Sequence, residues 1–247
     1  MSTSTDASPT GSGADGVVLP SGAEPYLALQ RTAYQHPVNR PFRWLGLGAV
    51  YDRLLLAPVE RRRTASLARA YEDDLRREHE QMAPFLPPAA SRVLDIGCGL
   101  AGIDLFLHRH YGGGFDLVLL DRDGRSGSFY GFRAEAAYYN SLALARALLC
   151  ANGVPDAGIA TFDLDRDGFP GGAPYDLVVS LLSWGFHYPV GVYLERVLGA
   201  LAPGGVVIMD VRKGTDGEQQ LEAAFGAPPR LITDAPKHRR VCLSRRA

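Results

Sequence analysis

An apolar strand that ends in an aspartate, breaks into glycines and resumes at once as a helix limits this chain's fold more than any other feature. It reads "SRVLDIGCGLAGIDLFL" from Ser91 to Leu107. Gly97, Gly99 and Gly102 satisfy Gly-x-Gly-x-x-Gly, in which a backbone turn and a helix start cradle a nucleotide. Asp121 follows about 20 residues later, at the end of the next apolar run, where an acid can bind ribose hydroxyls. Such a loop belongs to an open parallel sheet, so the rest of the chain must alternate strands with helices.

It does so from Ser91 onward. Arg92–Ile96 is a first strand and Ile103–Tyr111 its helix; Phe115–Leu120 is a second strand, followed after a Gly-rich loop by a helix over Ala134–Ala151. That helix carries a stripe at Tyr138, Leu142, Ala145 and Leu149 and stops at Asn152-Gly153. Gly158–Phe162 and Tyr175–Leu182 read as strands three and four. Pro189 opens a helix to about Leu201, Val206–Val211 is strand five, and Arg230–Thr233 with Arg240–Ser244 could close the sheet as a hairpin-like pair. Residues 1–25 hold little to bury and are expected to be a mobile tail. Residues 26–90 read as a helical extension, with Leu67, Tyr71, Leu75 and Met82 near one helix face.

Composition sets outer bounds. With 247 residues, 46% of them hydrophobic, the chain can bury a full core. A net charge of -1, with lysine only at Lys213 and Lys237 and short basic runs far apart, gives no reason to expect nucleic acid or a membrane surface as partner. Cys98, Cys150 and Cys242 form no paired framework, which suits a reducing cytoplasm. No apolar run has membrane-spanning length and no signal-peptide order is present. His108 and His110 point to different helix faces, and "HEQM" at His79 lacks a second histidine, so no metal site is expected.

The glycine loop alone would suit a nicotinamide dehydrogenase equally well. Two details point elsewhere. Asp95 stands two residues before the first glycine, where it would repel a pyrophosphate and attract the cationic amino group of an amino-acid-bearing nucleoside. "LAPGG", from Leu201 to Gly205, reads as a tight turn before strand five.

With "DIGCGLA" at Asp95–Ala101, "LLDRDG" at Leu119–Gly124, "TFDLD" at Thr161–Asp165 and "LAPGG", the chain resembles the class I S-adenosylmethionine-dependent methyltransferases from about Ser91 to Ala247. The resemblance rests on the order of these signals. It implies an α/β fold with a doubly wound, mostly parallel, seven-stranded Rossmann-like sheet whose last strand is antiparallel, here carrying residues 26–90 as an N-terminal helical lid. It also implies S-adenosylmethionine as cofactor, with Asp95, Gly97, Cys98, Gly99, Asp121, Asp163, Leu164 and Ser180 as cofactor-binding positions. Asp95 and the loop would hold the methionine end, Asp121 the ribose and Asp163 the adenine amino group. Ala101 departs from the pattern, adding a methyl where the third glycine is usual, next to Gly102. Asp95, Asp121 and Asp163 each also have a plain reading as turn residues.

The chemistry should lie where strand four ends, since open α/β sheets bind ligands beyond the carboxyl ends of their strands. There the chain reads "SLLSWGFHYP", Ser180 to Pro189. His187 and Tyr188 are the candidate catalytic residues, with Trp184 and Phe186 as an apolar wall; the alternative is that the aromatic residues only pack and His187 starts a helix. Tyr130, Tyr139 and Asn140 are candidate substrate contacts near the pocket mouth. The expected activity is methyl transfer to a small-molecule acceptor such as a secondary metabolite, in the cytoplasm, with no nucleic-acid or membrane partner. The rival readings are a non-methylating cyclase or eliminase on the same fold, a dehydrogenase, and a non-catalytic partner subunit.

Overall fold

The computed structural model describes residues 16–24, 26–27, 64–125 and 139–246. Most of the expected lid (28–63), Tyr130 and Tyr138 lie outside the described residues.

The strands are β1 (Arg92–Ile96), β2 (Asp116–Asp121), β3 (Gly124–Arg125), β4 (Tyr139–Asn140), β5 (Ile159–Asp163), β6 (Tyr175–Ser180), β7 (Leu201–Arg212), β8 (Arg230–Asp234) and β9 (His238–Ser244). The helices are α1 (Thr64–Met82), α2 (Gly102–Tyr111), α3 (Leu142–Ala151), α4 (Leu194–Ala200) and α5 (Gly217–Phe225). One seven-stranded sheet runs β5-β2-β1-β6-β7-β9-β8. All pairings from β5 to β7 are parallel, while β9 is antiparallel to both β7 and β8. The doubly wound sheet and its antiparallel last strand agree with the sequence reading.

The inner strands are apolar on both faces because helices cover both. Val93, Leu117, Leu119, Leu177 and Val179 face one core with α2 and α3, whereas Leu94, Ile96, Val118, Val178 and Val207 face the other. This period of two follows from the strand itself.

Four local expectations are corrected. The helix expected from Ala134 begins at Leu142, because Ser141 caps it by accepting the Leu144 N–H at 3.3 Å, and Tyr139–Asn140 pairs with Gly124–Arg125 instead. The helix expected from Pro189 to Leu201 is split into a 3-10 turn over Val190–Val192 and α4. "LAPGG" is drawn into β7 as an irregularity: Tyr175 pairs with Leu201 but Leu177 with Val206. A Cβ on Gly205 would stand 2.9 Å from the carbonyl oxygens of Ala202 and Tyr175, so glycine is needed there. Finally, residues 16–24 are docked rather than a mobile tail. Val17 and Ala23 are buried, the Val17 N–H donates to Glu72 at 3.0 Å, and Val18 and Asn152 exchange two hydrogen bonds.

Helix α1 lies along α2. Tyr71, Leu75 and Met82 are buried in the core as the stripe implies, and Leu67 is partly buried. A Cβ on Gly102 would meet the Tyr71 hydroxyl at 2.0 Å and Leu75 at 2.7 Å. The space beside Ala101 at Gly102 is therefore filled by α1.

Candidate functional site at the carboxyl edge of the sheet

Strand order reverses between β1 and β6, and the glycine loop leaves β1 at that point, the position where open α/β sheets bind ligands. The loop is built from left-handed turns: φ is 76° at Gly97, 56° at Gly99 and 57° at Ala101. Ala101 thus takes the conformation of the glycine it replaces, at a cost of about 1–2 kcal/mol for an L-residue.

The Asp121 carboxylate grips this loop from β2. It accepts the Gly99 N–H at 2.9 Å and the Arg122 N–H at 2.7 Å. Burial pushes its carboxyl up to about 6, against the pull of these two donors. Asp163 lies beside Asp121 in the sheet register. It accepts the Asp165 N–H at 3.1 Å and, at 3.5 Å, that of Asp123, so it shapes the turn after β5. The Leu164 N–H donates to the Asp121 carbonyl at 2.9 Å. Cys98 is buried, its thiol pushed up by burial and by the carboxylates of Asp121, Asp95 and Asp104. Asn140 is buried against the Cys98 sulfur at 4.0 Å, supporting the loop. Tyr139 contributes backbone to the β3–β4 pair.

A cleft of ≈ 20 Å³ remains above the loop, bordered by Gly97, Asp121, Arg122, Leu164, Ser183 and Tyr188 among others. That is room for about one water molecule. Arg122 stands over the Tyr188 ring at 6.0 Å and pairs with Asp165 at 3.3 Å. Ser183 covers Gly97 so closely that a Cβ there would fall 1.9 Å from its hydroxyl. A larger open groove of ≈ 600 Å³, lined by Phe169, Tyr175 and Arg196 among others, includes the first residue of β6 and so lies away from the carboxyl edge.

Two expected site residues belong to the core instead. Ser180 is fully buried; its hydroxyl donates to the Ile96 carbonyl at 2.7 Å and accepts the Trp184 N–H at 2.9 Å, tying β1 to β6. Trp184 is fully buried, with its indole N–H on the Val190 carbonyl at 2.7 Å and its ring against Tyr193. Burial and internal hydrogen bonds thus engage the polar atoms of Ser180, expected at the cofactor, and of Trp184, expected at the substrate. Tyr188 borders the cleft, whereas His187 is exposed and is not among the residues that line it, its ring edge-on to Phe186 at 4.8 Å. Partial burial, and then the Arg212 cation, lower the His187 pKa below 6.5. Phe186 is itself held between the His238 ring and the Arg212 guanidinium.

Sequence reasoning missed what fixes this edge. Leu182 takes a left-handed φ of 56°, held by its N–H donating to Asp210 at 3.0 Å. Asp210, at the end of β7, is fully buried and paired twice with Arg240 of β9 at 2.8 and 2.9 Å. Asp104, in the first turn of α2, is fully buried next to Asp95. An acid inside the apolar run "GIDLFL" was the available signal for Asp104. Among the described residues no group of acids, cysteines and histidines could hold a metal ion, and no helix is long and apolar enough to cross a membrane.

No protein-family model matches the chain, and no curated protein does. Solved structures do resemble it. A possible exported protein of Bordetella parapertussis is 18% identical over 72% of this chain and 68% of its own, with a TM-score of 0.52. A T. thermophilus 16S rRNA methyltransferase in complex with AdoMet and guanosine is 19% identical over 70% of this chain, with a TM-score of 0.47. This chain spans 42% of that enzyme's length. A methyltransferase from Pyrococcus furiosus is 13% identical over 70% of this chain and 83% of its own, with a TM-score of 0.45. At these identities the likeness is one of fold. The chain has the seven-stranded, mostly parallel, methyltransferase-type Rossmann-like α/β fold.

Proposed function

We propose that the chain binds S-adenosylmethionine at the glycine loop and transfers its methyl group to a small-molecule acceptor. The observation that carries this reading is the Asp121 carboxylate holding the Gly99 N–H at the switch point of the sheet. The residues present fit such a cofactor. Each Asp121 oxygen accepts one hydrogen bond and has capacity for a second, enough for two ribose hydroxyls. Asp95 supplies a carboxyl beneath the loop for the amino end, and Asp163 and Leu164 flank the adenine side. The cofactor, when bound, supplies a methyl group on a cationic sulfur. The chain has only to align an acceptor with that methyl and take up the acceptor's proton. For entry, Arg122 and Tyr188 must swing off the cleft.

His187 is the base in this reading. Its lowered pKa keeps the ring neutral at pH 7 and ready to accept a proton. His187→Gln should slow turnover by about a hundredfold or more while leaving cofactor affinity within about twofold. A glutamine variant with normal turnover would transfer the role to Tyr188, which borders the cleft.

The narrow cleft favours one second reading, a chain that keeps the fold without the methyl-transfer chemistry. Equilibrium dialysis separates the two. Labelled S-adenosylmethionine should be retained and displaced by S-adenosylhomocysteine but not by NAD; no retention at millimolar ligand would support the second reading.

A further inference from the structure

Beneath the glycine loop lies a pair of acids that neither ribose binding nor methyl transfer requires. Asp95 on β1 is 2% exposed and Asp104 on α2 is 0% exposed. Apart from its own backbone N–H, neither Asp104 oxygen meets an N–H or hydroxyl donor among the described residues. Its neighbour is the Asp95 carboxyl, with which it can share a hydrogen bond only if one of the two is protonated. Among the described residues, the surrounding elements offer no cation to offset them. Strand β2 brings Asp121, a third acid acting on Asp95, together with apolar Leu119. Strand β6 brings Val179, the loop brings the Cys98 thiol, and α1 brings the Tyr71 hydroxyl over Gly102.

We propose that Asp104 is a positioning residue acting through Asp95: the two carboxyls keep a proton in the unliganded chain and surrender it when a cationic amino group reaches the glycine loop. Two touching carboxylates in a dry site cannot both ionise without a counter-charge. An ammonium beside Asp95 is such a charge, so binding and proton release favour each other reciprocally. The arrangement selects for ligands that carry an amino-acid ammonium and against a pyrophosphate, which would hold the proton on. Burial raises both carboxyls, with Asp104 reaching about 7, so the linkage operates near neutral pH. The proposal rests on the methyl-donor reading above.

The test is calorimetry of the full chain with S-adenosylhomocysteine at pH 6.5, in buffers of different ionisation enthalpy, which counts protons released on binding. The wild type should release about half to one proton, and its affinity should rise by up to about tenfold per pH unit between pH 5.5 and 6.5. Methylthioadenosine, which has the nucleoside and sulfur but no ammonium, should release none. Asp104→Asn cannot hold the shared proton and should bind S-adenosylhomocysteine with little release and a flatter pH profile; the ligand's own titration is common to both proteins and cancels. Equal proton counts for wild type and variant, or for the two ligands, would overturn the inference while leaving the methyl-donor reading intact. Absence of all binding would overturn both. Infrared spectroscopy of the unliganded wild type at pH 6 decides the pair even if the variant does not fold. A protonated carboxyl band, insensitive to solvent and lost toward pH 8, is expected, and its absence would refute the shared proton.

Discussion

Asp104→Asn is expected to stabilise the chain by about 2 kcal/mol at pH 8 and to destabilise it by about 1–3 kcal/mol at pH 4. The sign follows from linkage. Burial holds the Asp104 carboxyl at about 7 in the folded chain, against an ordinary value of 3.8, so the folded state binds more protons than the unfolded state between those pH values. Stability associated with the neutral pair is fully present below about pH 4 and is lost as pH rises through about 7. At about 1.4 kcal/mol per unit this amounts to at most about 4 kcal/mol. Burying an amide that lacks a full set of partners returns about 1–3 kcal/mol of that. Urea midpoints of both proteins should therefore cross between pH 4 and 8, the variant's lying below the wild type's at pH 4 and above it at pH 8. A variant less stable than wild type at pH 8 would mean that the ionised pair is solvated or compensated.

The opposite outcome is expected at the far side of the site. Arg240→Ala should cost about 3–5 kcal/mol at neutral pH, because it strands the Asp210 carboxylate in a fully buried position. Asp210 receives two hydrogen bonds from Arg240 and one from the Leu182 N–H. Glu78 of α1, 3.7 Å from Arg240, and His238, 3.7 Å from Asp210, extend the network. The loss should appear in the denaturant midpoint and should be partly restored by Asp210→Asn in the same chain, since the stranded charge is then removed. Because Asp210 also holds Leu182 in its left-handed turn, the variant should loosen the 181–188 loop, visible as faster amide exchange at Leu182 and Gly185. A loss under about 1 kcal/mol would show that water reaches Asp210 and screens it.

The difference between these two sites also shows what the sequence could disclose. The glycine loop, Asp95 and Asp121 were legible because they are local: a strand end, a turn and a helix start follow each other along the chain. Alternating apolar runs disclosed the sheet, with its antiparallel last strand coming from the family resemblance. The Arg240–Asp210 pair joins β9 to β7, and no periodicity connects residues that meet only after the sheet forms. That Trp184 and Ser180 are buried is hidden in the sequence for a related reason. An aromatic or hydroxyl residue just after a strand looks the same whether it faces ligand or core; only the Val190 and Ile96 carbonyls beside them decide. The helix stripe was extended back through Tyr139 and Asn140 because periodicity has no marker for its own start, whereas the capping Ser141 does mark it. Asp104 was readable in principle, as a lone acid among Ile103, Leu105 and Phe106, all buried.

The central claim is that this fold holds an S-adenosyl nucleoside at the carboxyl edge of β1 and β2, and a crystal structure of the chain with S-adenosylhomocysteine tests it most directly. The account predicts density with the amino-acid end over Gly97 and Gly99, ribose hydroxyls within hydrogen-bond distance of Asp121, adenine beside Asp163 and Leu164, and Arg122 and Tyr188 displaced from the cleft. Ligand bound elsewhere on the chain, or a glycine loop still closed by Ser183 and Tyr188 at saturating ligand, would contradict it.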